Sequence, residues 1–291
     1  MPPRPPLPRP PALAPPTRLL LLPLLLAAAA ATPPTAVTAR VALAAPPLMT
    51  LPPTYLGVTV DYWPPSVEDF GSSTVNLIDL TNARLRGLAR ALAPATLRLG
   101  GSLDNIVQYL VGANMTRAYC ERRIVFRGDT FEGLCLNASR LEAFADFVGD
   151  ELGPDGALVF GLQLDLGAAG AGPWNGSNAI DFLRAAAALP AVAAALARGG
   201  VEVGEETNPP GGSPAFAALL DAYRGVGAAL AELWPDAAAR PPLLGPCSGM
   251  SENVPPWSTF TQPFVEAALP AGLGGFVSMY QKPHRPPTAS R

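Results

Sequence analysis

Two adjacent carboxylates at the end of an apolar stretch are the residues of this sequence best suited to do chemistry. The stretch reads VEVGEETN, and it places Glu205 and Glu206 directly after Val201–Gly204, which predicts a short strand. Only 15% of all residues are charged, so two adjacent acids at the end of an apolar strand are unusual in this chain and indicate a specific role. Because a carboxyl group can donate or accept a proton, the pair predicts general acid–base chemistry, with an ordinary polar turn as the alternative.

The histidine and cysteine content argues against several other kinds of active site. The single histidine, His284, lies in a proline-rich tail, which disfavours a Ser-His-Asp triad and a histidine-based zinc site. The three cysteines lack the spacing of metal ligands, and neither a metal nor another cofactor is expected. A net charge of -3 provides no basic face for nucleic acid. Carboxylate chemistry remains, and glycoside hydrolysis commonly needs only two carboxyl groups beside the scissile bond.

The elements that must position the acidic pair alternate between strand and helix. Strands are predicted at 55–63, 96–102, 157–164, 201–205, 242–247 and 274–280, and helices at 77–93, 139–152, 177–197, 213–234 and 258–269. We assign Ser139 and Glu142 to a capping box, a helix break to Pro190 and a helix cap to Ser213. This alternation predicts a parallel sheet with crossover helices.

Two parallel folds fit this alternation. An open doubly wound sheet should carry a glycine-rich nucleotide turn, but RLGGSLDN and GAAGAG have neither the G-x-G-x-x-G spacing nor a Walker lysine. We therefore predict an α/β fold of the (β/α)8 TIM-barrel type and expect it to be truncated after about strand six. Barrels place their chemistry at the C-terminal ends of strands, which is where Asp61, Gln163, Asp165, Glu205 and Glu206 fall.

The segments around the predicted barrel are rich in proline or alanine. We expect residues 1–17 to be a proline-rich disordered N-terminus, 18–31 a signal peptide with cleavage near Ala31, and 32–53 a Pro/Ala-rich linker. The partial barrel would span 54–281, followed by a disordered tail at 282–291. The apolar run has about 13 residues, fewer than the roughly 20 of a membrane span, and a transit peptide or an N-terminal anchor is the alternative.

Sequons and cysteines agree with passage through the secretory pathway. N-x-[ST] sequons at Asn114, Asn137 and Asn175 predict glycosylation. Cys120 and Cys135 flank a loop and are expected to form a disulfide, which leaves Cys247 as a buried free thiol. The expected location is extracellular, in the cell wall, or in a vacuole or lysosome. Association with the cell wall or with a membrane surface is also expected.

Several segments between about Tyr55 and Tyr280 resemble the heparanase-like glycoside hydrolases of family 79, in clan A of retaining barrels. TVDYWPP resembles the family's first strand, and LRLGGSLDNIVQY resembles the second strand with its Gly-Gly turn, which is the most specific match. FEGLCLNASRLEAF, LVFGLQL and GPWNGSNAIDFLR resemble later segments of the family. The family motif Glu-Leu-Gly-Asn-Glu-Pro-Asn matches Glu202 to Asn208.

The resemblance implies a role for individual residues. Glu206 falls on the general acid/base, and Glu205 falls on an asparagine that contacts the sugar beside the reaction centre. The remaining expected substrate contacts are Asp61, Gln163 in place of the usual asparagine, Asn208, and Tyr280 in place of a usual histidine. The implied partner is a uronate-containing polysaccharide or proteoglycan, cleaved as a retaining endo- or exo-β-glucuronidase would cleave it.

The nucleophile is not identified in the sequence. In this clan it ends strand seven, and we find no candidate for it after the sixth predicted strand. The chain as written is therefore expected not to hydrolyse β-glucuronides at a useful rate. A non-catalytic, secreted carbohydrate-binding relative is the first alternative function, and a secreted α/β protein outside the family is the second.

Overall fold

The computed structural model describes residues 51–62, 74–112, 124–126, 129–131, 134–164, 172–206, 211–249, 260–268 and 277–281. The strands are β1 (Gly57–Asp61), β2 (Thr96–Gly100), β3 (Gln108–Leu110), β4 (Ile124–Phe126), β5 (Asp129–Phe131), β6 (Cys135–Asn137), β7 (Ala157–Leu162), β8 (Gly200–Val203), β9 (Leu243–Gly249) and β10 (Val277–Gln281). The helices are α1 (Ala83–Leu92), α2 (Ala138–Glu151), α3 (Ser177–Ala187), α4 (Pro190–Arg198), α5 (Pro214–Leu233) and α6 (Gln262–Ala268), and Ser102–Ile106 forms a 3-10 turn.

Six strands form one parallel sheet in the order β1-β2-β7-β8-β9-β10. This spatial order follows the chain, and at least one helix lies in sequence between each strand and the next. The predicted α/β fold with a parallel sheet is confirmed, and the described strands show no reversal of order of the kind that defines a doubly wound sheet. The pairs β3–β6 and β4–β5 lie in a region where the sequence predicted no regular elements.

Helix α1 begins six residues later than predicted, because residues 74–82 form turns. Arg140 holds these turns by donating from Nε to the Val75 carbonyl at 2.8 Å and from Nη2 to the Ile78 carbonyl at 2.6 Å. The Asn82 side chain then accepts from two backbone N–H groups of the first helical turn, at 3.0 and 3.2 Å. An asparagine cap satisfies donors that a helix start leaves unpaired, so the helix begins directly after Asn82.

The predicted cap of helix α2 was wrong. Asn137, and not Ser139, is the N-cap: its Oδ1 accepts from the Arg140 N–H at 2.8 Å. The Ser139 hydroxyl donates to the same oxygen at 3.0 Å. Asparagine and serine are comparably good caps, so the pattern that Ser139 makes with Glu142 could not separate them.

Two other helix ends follow the sequence. The predicted break lies between α3 and α4, just before Pro190, where the two helices are bent by 107°. Ser213 caps α5 by accepting from the Phe216 N–H at 3.2 Å. Among the described residues no single helix is both long enough and apolar enough to cross a membrane. Helices α3 and α4 meet these two criteria only when they are taken together, as a bent pair.

The core joins strands of the main sheet to the helices that connect them. Phe160 of β7 lies against Phe182 of α3 at 5.6 Å between ring centroids, and the Tyr109 ring of β3 stacks on Phe182 at 4.3 Å. Two charged residues interrupt the otherwise apolar interior strands: Arg98 in β2 is 5% exposed and Glu202 in β8 is 0% exposed. Buried charges require partners, and the partners of these two residues lie in the candidate site.

Candidate active site

The site is built by the segments that follow β2 and β8. Strand β2 continues through Gly101 into the 3-10 turn, and β8 continues into Gly204–Glu206. Side chains of the two segments contact each other across 100 to 107 residues of sequence. Because β2 and β8 are parallel members of one sheet, their C-terminal ends face the same edge, as the sequence predicted.

Glu206, the predicted acid/base, is half-buried and held at both its backbone and its side chain. The Ser102 hydroxyl donates to Glu206 Oε2 at 2.8 Å, and the Glu206 N–H donates to the Cys247 carbonyl at 3.1 Å. Its φ of 50° lies in the left-handed region, which residues other than glycine seldom adopt. Such conformations persist where the surroundings enforce them, and they are concentrated at functional sites.

Glu205 lies in the interior, with 3% of its surface exposed. Arg98 Nη2 donates to Glu205 Oε2 at 2.7 Å, and the Gly101 N–H donates to the same oxygen. Asn105 clamps the Glu205 backbone, accepting from its N–H at 3.0 Å and donating to its carbonyl at 2.8 Å. The structure therefore gives the Glu205 carboxylate a role in the interior, and its predicted contact with a sugar stays a prediction.

Two glycines make this close approach sterically feasible. Gly101 has a φ of 108°, and a Cβ there would lie 1.9 Å from Asp61 Oδ1. Gly204 has a φ of 65°, and a Cβ there would lie 2.9 Å from Asn105 Oδ1. Any side chain at either position would combine an unfavourable backbone with a clash. The contact with Gly101 also places Asp61, a predicted substrate-binding residue, beside the segments that hold Glu205.

Three carboxyl groups form a cluster, and two of them are ion-paired with the Arg98 guanidinium. One oxygen each of Asp104, Glu202 and Glu205 lies within 4.8 Å of the others. Arg98 Nη2 forms ion pairs with both Glu202 Oε1 and Glu205 Oε2. Asp104 is 0% exposed, and within the described part of the chain neither of its oxygens has a hydrogen-bond partner.

The electrostatics of this cluster follow from burial and from the mutual effects of its charges. Burial raises the pKa of Glu202 to about 7, although Arg98 opposes the shift. Burial, together with the Glu205 and Glu202 carboxylates, raises the pKa of Asp104 well above its usual range. Burial lowers the pKa of Arg98, but Glu202 and Glu205 raise it by more, so the guanidinium stays charged. Burial and the same carboxylates raise the pKa of Cys247, which keeps it a thiol.

The spacing of Asp104, Glu202 and Glu205 is the arrangement among the described residues that could hold a metal ion. Its packing favours a different interpretation. Arg98 already supplies a positive charge to two of the three acids, and a Cβ on Gly161 would lie 2.2 Å from Asp104 Oδ2. The acids thus pack against a guanidinium and the backbone of β7, and we treat them as an ion-paired cluster.

Gln163 lies near the same edge of the sheet. Leu162 is paired in register with Val203, so Gln163 is one residue beyond that pair. Its N–H donates to the Tyr109 hydroxyl at 2.9 Å, while its Oε1 is buried without a hydrogen-bond partner in the described part of the chain. Its predicted substrate contact remains a prediction.

The other predicted residues are only partly covered by the structure. Asn114, Cys120, Asp165 and Asn208 lie outside the described residues, and for Tyr280 the structure gives only its place in β10. Asn137 is half-buried and caps α2, whereas Asn175 is exposed and accepts from the Ser177 hydroxyl at 3.0 Å. Glycosylation at these positions stays a prediction.

Sequence reasoning missed the residues that hold the acidic pair, namely Arg98, Ser102, Asp104, Asn105 and Glu202. A signal for two of them was present: TLRLG and VEVG each carry one charged residue inside an apolar strand. Charged residues are almost never fully buried unless they are paired, so one arginine and one glutamate in neighbouring apolar strands indicate an ion pair. The 3-10 turn residues carried no comparable signal.

The disulfide prediction agrees with the state of two cysteines. Cys135 is disulfide-bonded and Cys247 is a buried free cysteine. The third cysteine, Cys120, lies outside the described residues, so we keep its pairing with Cys135 as a prediction. Peptide mapping without reductant should recover these two cysteines in one linked pair, and closure of a loop of about 15 residues should stabilise the fold by about 3 kcal/mol. A linked peptide containing Cys247 would refute the assignment.

Stability should depend on pH through Glu202. Its folded pKa of about 7 exceeds the ordinary value of 4.5, so the folded chain keeps a proton that the unfolded chain releases. The contribution is present in full below about pH 4.5 and is lost as the pH rises to about 7, with a total of about 3 kcal/mol. Urea unfolding across this range should show a flatter pH dependence for Glu202→Gln, whereas Glu232→Gln on the exposed face of α5 should match the wild type. Equal slopes for wild type and Glu202→Gln would contradict the assignment.

Comparison with known proteins places these residues in a family. The chain matches the family model described as Glycosyl hydrolase family 79, N-terminal domain, over residues 41–246, a range that contains both segments of the site. It is also 31% identical over 152 residues to Heparanase-like protein 3 of Arabidopsis thaliana. That match covers 46% of this chain but only 27% of the relative's length.

Proposed function

Because the chain belongs to glycosyl hydrolase family 79, we propose that it supplies the acid/base half of a retaining glycosidase, with Glu206 as the proton donor. The observation that carries this proposal is the fixed placement of Glu206 directly after β8. Ser102 orients its carboxyl group, and the Cys247 carbonyl fixes its backbone in a left-handed conformation. A general acid needs such a preset orientation toward the leaving-group oxygen.

The proposed reaction has two steps. In the first step Glu206 protonates the departing glycosidic oxygen while a second carboxylate attacks the sugar and forms a covalent bond to it. In the second step the ionised Glu206 accepts a proton from a water molecule, which attacks the sugar and releases it from the second carboxylate. We assign no residue to the second carboxylate. Glu205, although adjacent in sequence, is bound to Arg98 and to the Gly101 N–H in the interior.

We propose a uronate-containing polysaccharide or proteoglycan as the substrate class. A carboxylate at position 205 would repel a uronate if it faced the sugar without a counter-ion. Its 3% exposure and its ion pair with Arg98 reduce this repulsion, so Glu205 does not argue against the class, which rests on the family resemblance. Turnover of β-glucuronides without turnover of matched β-glucosides would support this class, and the reverse preference would count against it.

A second candidate function is carbohydrate binding without hydrolysis. The observation that favours it is Glu205 itself, since the family resemblance places an asparagine there. The deciding experiment uses the protein with an aryl β-glucuronide and, separately, with an immobilised uronate glycan. Release of the aryl alcohol supports the hydrolase. Retention on the glycan without release, by a form of the protein that carries the second carboxylate, supports the binding protein.

We infer that the parallel sheet belongs to a (β/α)8 barrel. The sequential strand order supports this, as does strand β1 at one edge of the described sheet. Three apolar residues at this edge, Tyr55, Leu56 and Val58, are 63%, 56% and 46% exposed. Pairing of β1 with a further strand would cover this edge. Protection of the outward β1 amides from hydrogen exchange would support closure, and rapid exchange there would contradict it.

We propose that the protein enters the secretory pathway, with cleavage near Ala31. The basis is the apolar run that follows Arg18, together with the exposed sequon at Asn175. N-terminal sequencing should find a mature start close to Thr32, and glycan removal should lower the mass. Retention of Met1 with an unchanged mass would contradict the proposal.

A further inference from the structure

The 3-10 turn Ser102–Ile106 touches the acidic segment after β8 with three of its residues. Ser102 donates to the Glu206 carboxylate, Asn105 clamps the Glu205 backbone, and Asp104 lies with Glu202 and Glu205 in the carboxyl cluster. The orientation of Glu206 therefore depends on whether this turn can stay packed against the cluster.

Full ionisation of the cluster would leave it unbalanced. Three carboxylates would carry three negative charges against the one positive charge of Arg98, in a region where Asp104 and Glu202 are 0% exposed and Glu205 is 3% exposed. Uncompensated charge in the interior destabilises the folded state, and a buried acid usually avoids it by taking up a proton. At least one of the three acids is therefore expected to be neutral.

The donors around the three acids identify which one is neutral. Glu205 receives Arg98 and the Gly101 N–H, and Glu202 is ion-paired with Arg98. Within the described part of the chain neither Asp104 nor Glu202 accepts a hydrogen bond, but Glu202 has the Arg98 ion pair and Asp104 has no ion pair. Its Oδ2 packs against Gly161, where a Cβ would lie at 2.2 Å. A charged Asp104 would thus be the least stabilised of the three.

We propose that Asp104 is protonated and neutral in the folded chain and that it acts as a positioning residue for Glu206 by keeping the 3-10 turn packed against the carboxyl cluster. The part that concerns Glu206 rests on the proposed acid/base function, whereas the protonation of Asp104 does not. The proton comes from solvent on folding and returns to solvent on unfolding at neutral pH. No bond other than the O–H bond of Asp104 is formed or broken.

The groups that face Asp104 from neighbouring elements agree with a neutral side chain. They are Asp61 at the end of β1 and Tyr62 after it, Arg98 in β2, Tyr109 in β3, Glu202 in β8, Glu205 after it, Tyr223 in α5 and Cys247 in β9. Burial raises the pKa of the three tyrosines and of Cys247, so these groups are uncharged near neutral pH. Arg98 is the positive group in this set, and it is already paired with two acids.

Infrared spectroscopy of the full chain tests the proposal without any substrate. At about pH 8 carboxyl groups of ordinary pKa are ionised, and so is most of Glu202, whose pKa is about 7. A carbonyl band with the intensity of one whole protonated acid therefore reports a second buried neutral carboxyl. We expect this band in the folded wild type, its loss in Asp104→Asn, and its retention in Asp181→Asn. Asp181 is a matched control because its side chain is 59% exposed and its ion pair with Arg184 lies on the surface of α3.

The wild type alone keeps the test decisive if Asp104→Asn fails to fold, because the band should also vanish when the wild type unfolds in urea at the same pH. Where the variant folds, the difference in bound protons between folded and unfolded chain should fall by about one near pH 8. Absence of the band from the folded wild type, or its persistence in Asp104→Asn, overturns the proposal. A rise in melting temperature with Ca²⁺ that Asp104→Asn abolishes also overturns it, in favour of a cation site. A form of the protein that carries the second carboxylate and shows the band, but hydrolyses no glycoside, would refute only the function of Glu206.

Discussion

Replacement of Arg98 by methionine is expected to lower the free energy of unfolding by about 3–5 kcal/mol near neutral pH, as removal of one partner from a buried ion pair does. Arg98 is 5% exposed and is the counter-ion of both Glu202 and Glu205. Methionine preserves much of the apolar stem but leaves the carboxyl groups without a positive charge. Because these groups can then become neutral only by taking up protons, the destabilisation should shrink as the pH is lowered.

Urea unfolding of wild type and Arg98→Met at several pH values measures this effect. Arg224→Met is the matched control, because Arg224 is 47% exposed and pairs with Asp221 on the surface of α5 at 2.8 Å. Such surface pairs contribute about 0–1 kcal/mol. Addition of Glu202→Gln and Glu205→Gln to Arg98→Met should restore part of the stability. A loss no larger than that of the control, or one independent of pH, would show that Arg98 is not the counter-ion of the cluster.

In a form of the protein that also carries the second carboxylate, the substitution Glu206→Gln should reduce hydrolysis of an unactivated β-glucuronide by about 10²–10⁴-fold, the usual contribution of a general acid. Glutamine matches glutamate in shape and can still contact Ser102, but it cannot donate a proton to the leaving oxygen. A substrate whose leaving group is already a stable anion, such as a dinitrophenyl β-glucuronide, does not need that proton in the first step. Its cleavage by Glu206→Gln should therefore be impaired much less in a single-turnover measurement.

This contrast between substrates separates acid catalysis from structural damage. Glu232→Gln serves as the control, since the Glu232 side chain is 68% exposed on α5. Equal losses on both substrates would mean that Glu206 does something other than protonate the leaving group. No loss on either substrate would remove Glu206 from the mechanism. Absence of turnover would favour the carbohydrate-binding function only in a form of the protein that carries the second carboxylate.

The regular elements of the main sheet could be predicted because their patterns are local. Apolar strands and amphipathic helices alternate along the chain, and the predicted order of β1, β2, β7, β8, β9 and β10 with their helices is confirmed. The predicted helix starts were wrong where two local patterns fit equally well and a single side-chain contact decides between them. Asn137 took the cap predicted for Ser139, and Arg140 holds residues 74–82 in turns that the apolar spacing had assigned to a helix.

The family and the acidic pair could also be read from the sequence, and the family is confirmed by the matching family model. The separate environments of Glu205 and Glu206 could not be predicted from the sequence. Adjacent residues look alike in sequence, but Gly204 and the left-handed backbone of Glu206 place one carboxylate beside Arg98 and the other beside Ser102. These partners come from a segment about a hundred residues away, and a local pattern holds no information about such a contact.

The long sequence separation within the site has a consequence for how the protein is made. Arg98 meets Glu205 across 107 residues, and Gly101 meets it across 104. At a synthesis rate of about 5–20 residues per second, roughly 5 to 20 seconds pass between the translation of β2 and that of its carboxylate partners. During that interval the nascent chain holds an arginine destined for the interior but not yet its counter-ions. Contacts of such high contact order form slowly, so we expect the acid/base site to be among the last parts of the sheet to assemble on the ribosome.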